Sequence, residues 1–470
     1  MSNPLQSTKL VTRLNTAAET RSSSDHLSDL TSANFHVGTH DASRLLQRVF
    51  STFIGRINVR LWNGKTLTLG DMDSESAPCA FTLVFRNPRA VSSLVLGRDP
   101  LRFAECYFSG AIDIEGDFFE AIRLKDKLES IHVRSRDRLG ALLLALRMQL
   151  SSQFNPTDKV SLVPKHGARV SAHSRGENSD AIEFHYDVSN DFYALWLDQA
   201  MVYSCAYFEH LDDSLEDAQQ AKLAHICAKL QLQTGECFLD IGCGWGALVI
   251  HAAQHFGVRA HGVTLSKKQL EIARQRIAQA GLEDQVTVEL RDYRDLLGES
   301  VYDKIASVGM FEHVGLKNLP VYFSTVHRLL KPAGLFLNHG ITHDVEGWQK
   351  TLSTEFINRY VFPDGQLDTV SNIQRGMERT GFEIADVEAL RPHYALTLRH
   401  WVARLEKNHD ESLRYVDESS YRVWRLYMAA CALEFESGGI GIYQLLASKR
   451  DTFNTVLPLT RRYMYASATT

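Results

Sequence analysis

The 470-residue chain contains no long apolar run of the kind that crosses a bilayer as a helix. Its richest apolar stretch, residues 139–146, is far shorter than the roughly 20 residues that such a helix needs. Positive charge is not in excess either, because 51 Lys and Arg residues face 56 Asp and Glu residues and leave a net charge of −5. These absences argue against an integral membrane protein and against a basic protein that coats nucleic acid.

Cysteine is scarce and irregularly spaced, with 7 residues and no C-x-x-C pair. An odd count without such spacing argues against a disulfide framework and a zinc site, so we expect no metal and a reducing, cytoplasmic compartment. The first 35 residues are rich in Ser and Thr and lack the apolar core of a secretory signal. We therefore expect residues 1–35 to form a disordered tail.

The rest of the chain divides into two predicted domains and a linker. Residues 36–150 alternate short apolar runs with turns, such as the Asn-Gly dipeptide at 63–64, which predicts a small α+β accessory domain that ends in a helix at 136–149. A polar linker is predicted over 151–179. Residues 180–470 alternate strands and helices, which is typical of a doubly wound, mostly parallel α/β sheet. The predicted strands are 237–242, 258–265, 286–293, 302–310 and 334–342.

The clearest chemical motif is LDIGCGWG at residues 239–246, at the end of the first of these strands. Its glycines allow a tight turn and let a ligand approach the following helix. The spacing does not complete the G-x-G-x-x-G of dinucleotide enzymes, and an acid two residues before the first glycine suits an ammonium group. The loop therefore predicts S-adenosylmethionine as the cofactor. The predicted contacts are Asp240, Gly242, Cys243, Gly244, Trp245 and Gly246.

Two further strand ends extend the predicted cofactor site. The second strand ends in polar side chains where a dinucleotide enzyme carries an acid; the residues there are Thr264, Leu265, Ser266 and Gln269. After the third strand, Asp292 is predicted to accept from the adenine amino group and Tyr293 to stack on the ring. Asp292 has an alternative interpretation as a helix-capping acid.

Six motifs that occur in order resemble those of the cyclopropane-fatty-acyl-phospholipid synthases and their relatives, the mycolic acid cyclopropane synthases and methyltransferases. They are HYDVSNDFYALWLD (185–198), YSCAYF (203–208), LDIGCGWG (239–246), GVTLSKKQ (262–269), VGMFEHVG (308–315) and YVFPDGQL (360–367). The similarity covers roughly residues 182–448, and residues 104–122 resemble the accessory domain of the lipid-acting members. It implies a class I S-adenosylmethionine-dependent methyltransferase with a Rossmann-like fold and a smaller N-terminal α+β domain.

The resemblance also implies a reaction. When an isolated double bond takes a methyl group from the sulfonium, positive charge develops on a lipid carbon and a proton must leave, so a base is needed in a dry cavity. In that family the base is a bound bicarbonate ion. The positions that match the family's bicarbonate-binding residues are Cys205, Glu312, His339, Ile341 (through its backbone) and Tyr394. Cys431 matches another cysteine that the family shares. Tyr203 and Ser204 are implied to contact the cofactor, and His185 and Tyr186 to help close the site.

Each of these residues also has a structural interpretation. Glu312 and His339 follow consecutive strands, and we expect each to favour the charged form of the other. Glu312 is also compatible with a helix N-terminal acid, and His339 with a core histidine. Tyr394 is compatible with packing, as are Cys205 and Cys431. The rings of Tyr203, Trp245 and Tyr293 suit a sulfonium by cation–π attraction, although Trp245 is equally compatible with loop packing.

A basic amphipathic stretch predicts how the protein reaches its lipid. Residues 134–165 carry six Lys and Arg residues around the apolar run 139–146, which is typical of a helix at an anionic membrane surface. The alternative is a helix that packs its leucines between domains. The resemblance implies a homodimer, associated peripherally with the inner face of the membrane, that acts on unsaturated phospholipid and binds no nucleic acid.

Four functions remain open at this point. The first is cyclopropane formation on an acyl chain, and the second is a methyl or methylene branch on the same chain. The third is N-methylation of a small amine, which the accessory domain and the full set of bicarbonate residues disfavour. The fourth is a non-catalytic lipid-binding protein, which the intact glycine loop disfavours.

Overall fold

The computed structural model describes residues 38–53, 55–70, 79–96, 100–128, 135–151, 189–346, 360, 366–450 and 457–465. The predicted tail and nearly all of the predicted linker lie outside these ranges, as do His185 and Tyr186. The proposed domain boundaries therefore stay predictions.

A four-stranded sheet in the order β2-β1-β3-β4 organises the described N-terminal residues. Its strands are β1 (Arg56–Arg60), β2 (Thr66–Gly70), β3 (Phe81–Phe85) and β4 (Ile112–Gly116). The hairpin expected at residues 63–64 joins β1 and β2 antiparallel, and Gly64 in its turn has a φ of +83°, which favours glycine. The accompanying helices are α1 (38–49), α2 (Pro88–Leu96), α3 (Pro100–Phe108), α4 (Phe118–Leu128) and α5 (Ser135–Ser151).

Helix α5 matches the helix predicted at residues 136–149. Among its described side chains, Ala141, Ala145 and Met148 are buried, and Leu144 is partly buried against the same apolar core. The leucine face of α5 consists of Leu142, Leu143 and Leu146, which are 44%, 58% and 42% exposed. The helix therefore packs one described leucine and exposes three, so both predicted interpretations of this stretch stay open. Among the described helices, none is both long and apolar enough to cross a membrane.

The second sheet confirms the predicted doubly wound, mostly parallel architecture. Its order is β10-β11-β9-β8-β5-β6-β7. The strands are β5 (Cys237–Ile241), β6 (Arg259–Thr264), β7 (Val286–Leu290), β8 (Tyr302–Val308), β9 (Leu330–His343), β10 (Phe382–Ala389) and β11 (Ile440–Lys449). Strands β5 to β9 pair parallel, whereas β11 pairs antiparallel with both β9 and β10. The chain order reverses at β5, between β6 and β8, so a ligand crevice is expected at the carboxyl ends of these strands.

Helices cover both faces of this sheet. They are α6 (Asn190–Ala194), α7 (Leu215–Lys229), α8 (Ala247–Phe256), α9 (Lys267–Gln279), α10 (Leu319–Leu329), α11 (Val370–Arg379), α12 (Arg391–Lys407), α13 (His409–Ser412) and α14 (Glu418–Ser437). A side-chain cap begins α7: Ser214 Oγ accepts from the Asp217 N–H at 3.1 Å and donates to the Asp217 carboxylate at 2.7 Å. A cap of this kind stabilises a helix by about 1 kcal/mol.

Helix α14 joins the two sheets into one body. Its Arg422 lies 3.5 Å from Asp113 of β4, and its Glu436 lies 2.7 Å from Arg123 of α4. A continuous apolar core runs from the N-terminal sheet through α14 to α6 and α12. The N-terminal sheet is therefore packed directly behind the helices that close one side of the cofactor crevice.

Candidate functional site

A cavity opens at the carboxyl ends of β5, β6 and β8, where the change of strand order places it. The predicted cofactor residues that line it are Tyr203, Ser204, Asp240, Gly242, Cys243, Gly244, Trp245, Thr264, Leu265, Gln269, Asp292 and Tyr293. Gly246 and Ser266 do not line it and instead shape its wall. Gly246 precedes α8 with a φ of +84°, and Ser266 caps α9 by accepting from the Gln269 N–H at 3.3 Å.

The glycine loop turns the chain sharply from β5 into α8. Gly242 and Gly244 have φ values of +87° and +53°, in the region that other residues rarely adopt. The N–H groups of Gly242 and Cys243 donate to the Val263 carbonyl at 2.9 and 3.0 Å, which anchors the loop on β6. The loop thus leaves the start of α8 facing the cavity, where backbone N–H groups favour negative charge.

Asp240 lies at the base of the cavity and is 2% exposed. Burial raises the pKa of its carboxyl to about 7, against the opposing positive charge of Lys222. Its Oδ1 atom has no hydrogen-bond partner among the described residues. A buried, unpartnered carboxylate oxygen fits the ammonium group of S-adenosylmethionine, as the loop motif predicts.

Sequence reasoning missed Lys222, which also lines the cavity. Its Nζ donates to Ser204 Oγ at 3.1 Å, and burial lowers the pKa of this lysine to about 8 although Asp198 and Asp240 raise it. The sequence did contain a signal for this residue, because Lys222 lies among the buried positions of α7, between Leu215 and Ile226. A buried lysine needs polar or acidic partners, and of the two acids that raise its pKa, Asp240 lines the cavity.

The predicted residues at the ends of β6 and β7 make different kinds of contact. At the end of β6, Thr264 Oγ1 donates to Gln269 Oε1 at 2.8 Å, so the two predicted residues meet in the cavity wall. After β7, the Asp292 carboxylate accepts from both the backbone N–H and the side-chain Nε of Arg294, each at 2.9 Å. Asp292 therefore caps the turn that follows it, as in the alternative interpretation. Asp292 also lines the cavity, so its contact with the adenine amino group stays a prediction.

Aromatic rings form one wall of the cavity. The rings of Tyr193 and Trp245 lie 5.3 Å apart, and those of Tyr193 and Tyr203 lie 5.5 Å apart. Trp245 Nε1 donates to Asn190 Oδ1 at 2.9 Å, which ties the glycine loop to α6. Trp245 is thus both a packing residue and a cavity residue. Tyr293 is buried on the opposite side with its ring edge-on to Tyr322 at 5.4 Å.

The residues predicted to hold bicarbonate lie outside the lining of this cavity. Glu312 follows β8 in a 3₁₀ turn and is 6% exposed. Burial raises the pKa of its carboxyl to about 7, although the Ile341 N–H, which hydrogen-bonds to it, lowers the value. Its Oε2 atom has no hydrogen-bond partner among the described residues. A Cβ on Gly340 would come within 2.6 Å of Oε2, so only glycine at this position leaves room for the carboxylate.

His339 is fully buried on β9, beside that glycine. Burial, together with the positive charges of Lys222 and Lys229, lowers the pKa of its ring to about 3. The expected mutual stabilisation of charged Glu312 and charged His339 is therefore wrong, because burial shifts both groups toward their neutral forms. The ring Nδ1 lies 3.2 Å from Gln444 Nε2, and Nε2 has no partner among the described residues.

The apolar core contains Cys205, Cys431 and Tyr394. Cys205 is fully buried, its thiol donates to the Ala206 carbonyl at 3.2 Å, and burial raises its pKa. Tyr394 packs on Phe435 with ring centroids 4.7 Å apart.

Cys431 is also a core residue, and burial raises its pKa to about 12. Tyr427, which sequence reasoning missed, hydrogen-bonds to both Cys431 and Tyr203. Tyr427 thus links Cys431 to Tyr203, which lines the cofactor cavity. Within the described residues no cluster of His, Cys, Asp and Glu side chains is arranged to hold a metal ion.

The doubly wound sheet, the glycine loop and the buried acid below it define a class I S-adenosylmethionine-dependent methyltransferase. A family model described as mycolic acid cyclopropane synthetase matches residues 173–445, and the chain belongs to this family. A second model, described only as a domain of unknown function, matches residues 43–135. The protein is thus an S-adenosylmethionine-dependent methyltransferase of a lipid-modifying family.

Individual relatives show how far the similarity extends. A probable fatty acid methyltransferase of Pseudomonas putida is 39% identical over 87% of this chain and 96% of its own length. The cyclopropane-fatty-acyl-phospholipid synthase of Escherichia coli K12 is 43% identical over 56% of this chain and 66% of its own length. The crystal structure of mycolic acid cyclopropane synthase CmaA1 complexed with SAH and CTAB is 34% identical, with a TM-score of 0.55, and covers 58% of this chain and 98% of that one.

Proposed function

We propose that the protein transfers a methylene group from S-adenosylmethionine to the cis double bond of unsaturated acyl chains in membrane phospholipids and so forms a cyclopropane ring. Bicarbonate is the proposed base. The observation that carries the proposal is the pair of buried atoms outside the cavity lining, Glu312 Oε2 and His339 Nε2, neither of which has a partner among the described residues. Buried polar atoms without partners are costly, so each of the two is expected to contact a polar group when a ligand is bound, and we propose that one anion serves both.

The cavity fits the cofactor at its charged end. When bound, S-adenosylmethionine supplies an electrophilic methyl group on a sulfonium. The unpartnered Asp240 oxygen is suited to its ammonium, and Ser204 is held toward the cavity by Lys222. The aromatic wall formed by Tyr203, Trp245 and Tyr193 excludes water and suits the positive sulfonium.

The centre at Glu312 and His339 fits an anion with one proton. When bound, bicarbonate supplies the base that accepts the proton lost from the new methyl group. The neutral His339 ring is a hydrogen-bond donor through one nitrogen, and the Glu312 carboxylate is an acceptor, so the two side chains complement a group that both accepts and donates. Because Glu312 is buried, hydrogen bonds to the anion are strong there and water is kept from the developing carbocation.

A second function has specific support. The Pseudomonas putida relative, which matches over nearly its whole length, is named a probable fatty acid methyltransferase. In that reaction the same carbocation forms and yields a methyl or methylene branch instead of a ring. N-methylation of a small amine remains the third alternative and is an outcome of the same test.

The experiment is mass spectrometry of unsaturated phospholipid vesicles incubated with the enzyme and isotopically labelled S-adenosylmethionine, followed by ozonolysis of the product. A gain of one CH₂ with resistance to ozonolysis supports the ring. A gain of one CH₂ with the double bond retained contradicts ring formation and supports the branched product. Label in added amines, with none in lipid, contradicts both lipid reactions.

The leucine face of α5 is the proposed membrane contact of a peripheral, cytoplasmic enzyme. Its three exposed leucines lie beside Arg147, which is 65% exposed and only 3.4 Å from Asp41. Exposed apolar side chains next to basic ones suit the surface of an anionic bilayer. A homodimer is proposed from the resemblance alone, and light scattering of the purified protein tests it.

A further inference from the structure

Three neighbouring strands bring a histidine, an amide and a carboxylate side by side. Gln444 of β11 is paired directly with His339 of β9 on one side and with Glu388 of β10 on the other. Residues directly opposite each other in an antiparallel pair have their side chains on the same face of the sheet. His339, Gln444 and Glu388 therefore form one row across the sheet, and both His339 and Gln444 are fully buried.

The outer end of this row is a tight ionic cluster. Although burial opposes ionisation, hydrogen bonds from His225 and Lys229 lower the pKa of Glu388 to about 2. His225 Nε2 lies 2.7 Å from Glu388, and Lys229 Nζ lies 2.6 Å from it. Glu388 is thus saturated with donors, and the charges that face His339 from the packed elements are Lys222, Lys229, His225 and Glu388. With two lysines in this set, the buried His339 ring stays neutral.

A neutral imidazole carries one proton, and its neighbour decides which nitrogen holds it. The Gln444 amide nitrogen lies 3.2 Å from His339 Nδ1, and an amide nitrogen can only donate. With the amide in this orientation, Nδ1 is the acceptor and the proton resides on Nε2. Nε2 is the buried atom without a partner among the described residues, which leaves this N–H to donate to whatever the centre binds.

We propose that Gln444 is a positioning residue that holds His339 in the tautomer with its proton on Nε2, so that the ring presents a donor to an oxyanion. The consequence for catalysis rests on the function proposed above, because only an anion at this centre needs such a donor. With the opposite tautomer, the Nε2 lone pair would face the oxyanion and repel it. Gln444 thereby contributes to anion affinity without contacting substrate or cofactor.

The test is a ¹⁵N NMR spectrum of the histidine rings of the full-length enzyme, with His339 assigned by comparison with His339→Gln. The wild type should show a protonated Nε2 and an unprotonated Nδ1. In Gln444→Glu, a carboxylate opposite Nδ1 should move the proton to Nδ1. The control is Asn338→Leu, which removes a buried amide one residue away on β9 whose Oδ1 accepts from Tyr322 at 3.0 Å. It should leave the His339 tautomer unchanged.

The kinetic readout is the bicarbonate concentration that gives half-maximal turnover. It should rise about tenfold or more in Gln444→Glu and in Gln444→Met, with the KM for S-adenosylmethionine unchanged. A wild-type spectrum with the proton on Nδ1 overturns the proposal, even if neither variant folds. The NMR spectra could show the expected tautomers while turnover does not depend on bicarbonate. That result would uphold the role of Gln444 and contradict the bicarbonate part of the proposed function.

Discussion

Gly340 leaves the space in which the Glu312 carboxylate lies, and Gly340→Ala tests whether that space is needed. The new Cβ would lie 2.6 Å from Glu312 Oε2 and 2.3 Å from Cε1 of Phe311. Ordinary carbon contacts are about 3.5–4.0 Å, so the Phe311 ring has to move by more than about 1 Å. The carboxylate, which accepts from the Ile341 N–H, has to move with it.

The size of the effect follows from these contacts. Overpacking of a buried site costs about 1–3 kcal/mol of folding stability. Losing a hydrogen bond to a charged group costs about 1.5–3 kcal/mol, and each 1.4 kcal/mol is about tenfold in rate. We therefore expect turnover to fall about ten- to a hundredfold. Affinity for S-adenosylmethionine should change by less than about twofold, because neither Gly340 nor Glu312 lines the cofactor cavity.

The assays are lipid turnover at saturating cofactor, calorimetric binding of S-adenosylmethionine, and denaturant unfolding. Gly38→Ala is the matched control, since a Cβ there meets only Trp62 at 3.7 Å and Pro88 at 4.0 Å. A Gly340→Ala enzyme with wild-type turnover would show that the position of the carboxylate does not matter. An equal loss of cofactor affinity would place the damage in the cavity and also contradict the reasoning.

Three further changes have defined outcomes. Burial raises the pKa of Glu312 to about 7, above its usual 4.5, so turnover at saturating cofactor should increase with pH around 7. The contribution of this group to the free energy of unfolding should decline as pH rises from 4.5 to 7, because the folded state then binds a proton that the unfolded state has lost. Glu312→Gln should flatten this dependence of stability on pH, and an unchanged dependence would contradict the raised pKa of Glu312. Lys222→Met should raise the calorimetric Kd for S-adenosylmethionine about tenfold or more, because Ser204 loses its donor and Asp240 its opposing charge, whereas Lys222→Arg should retain part of the affinity. Leu143→Glu should reduce sedimentation with anionic vesicles relative to Leu297→Glu, a control at a leucine that is 84% exposed; equal binding by both variants would exclude the leucine face of α5 as the contact.

The parallel part of the fold follows from local sequence, whereas the antiparallel edge does not. The apolar run at residues 258–265 matches β6, and the run at 334–342 lies within β9, because buried parallel strands read as continuous apolar stretches. Strands β10 and β11 were not predicted. In β10, Glu383, Asp386 and Glu388 interrupt the apolar residues, so the strand has no continuous apolar run. Its acids are stabilised by residues distant in sequence, such as Lys229, which lies 3.0 Å from Asp386.

The cofactor site likewise contains residues whose role follows from local sequence and residues whose role does not. The glycine loop was predictable because three glycines and an acid within eight residues determine its geometry and its charge. The pairing of Asp292 with Arg294 was not predicted, because an acid that caps a turn and an acid that binds a ligand look alike in the sequence. Lys222 was missed for a related reason. It looks like an ordinary helix lysine until the fold places it beside Ser204 and Asp240.

The protonation states of Glu312 and His339 depend on burial more than on their mutual attraction. Attraction between opposite charges favours ionisation only when the energy gained exceeds the cost of removing both groups from water. His339 is fully buried and is faced by Lys222 and Lys229, so a proton on both ring nitrogens would add a third cation to a dry region. A neutral ring donates through one nitrogen and accepts through the other, whereas a charged ring donates through both. The unpredicted strand β11 supplies Gln444, whose contact with Nδ1 decides which nitrogen donates. The proposed chemistry of the site therefore depends on a residue that no catalytic motif contains.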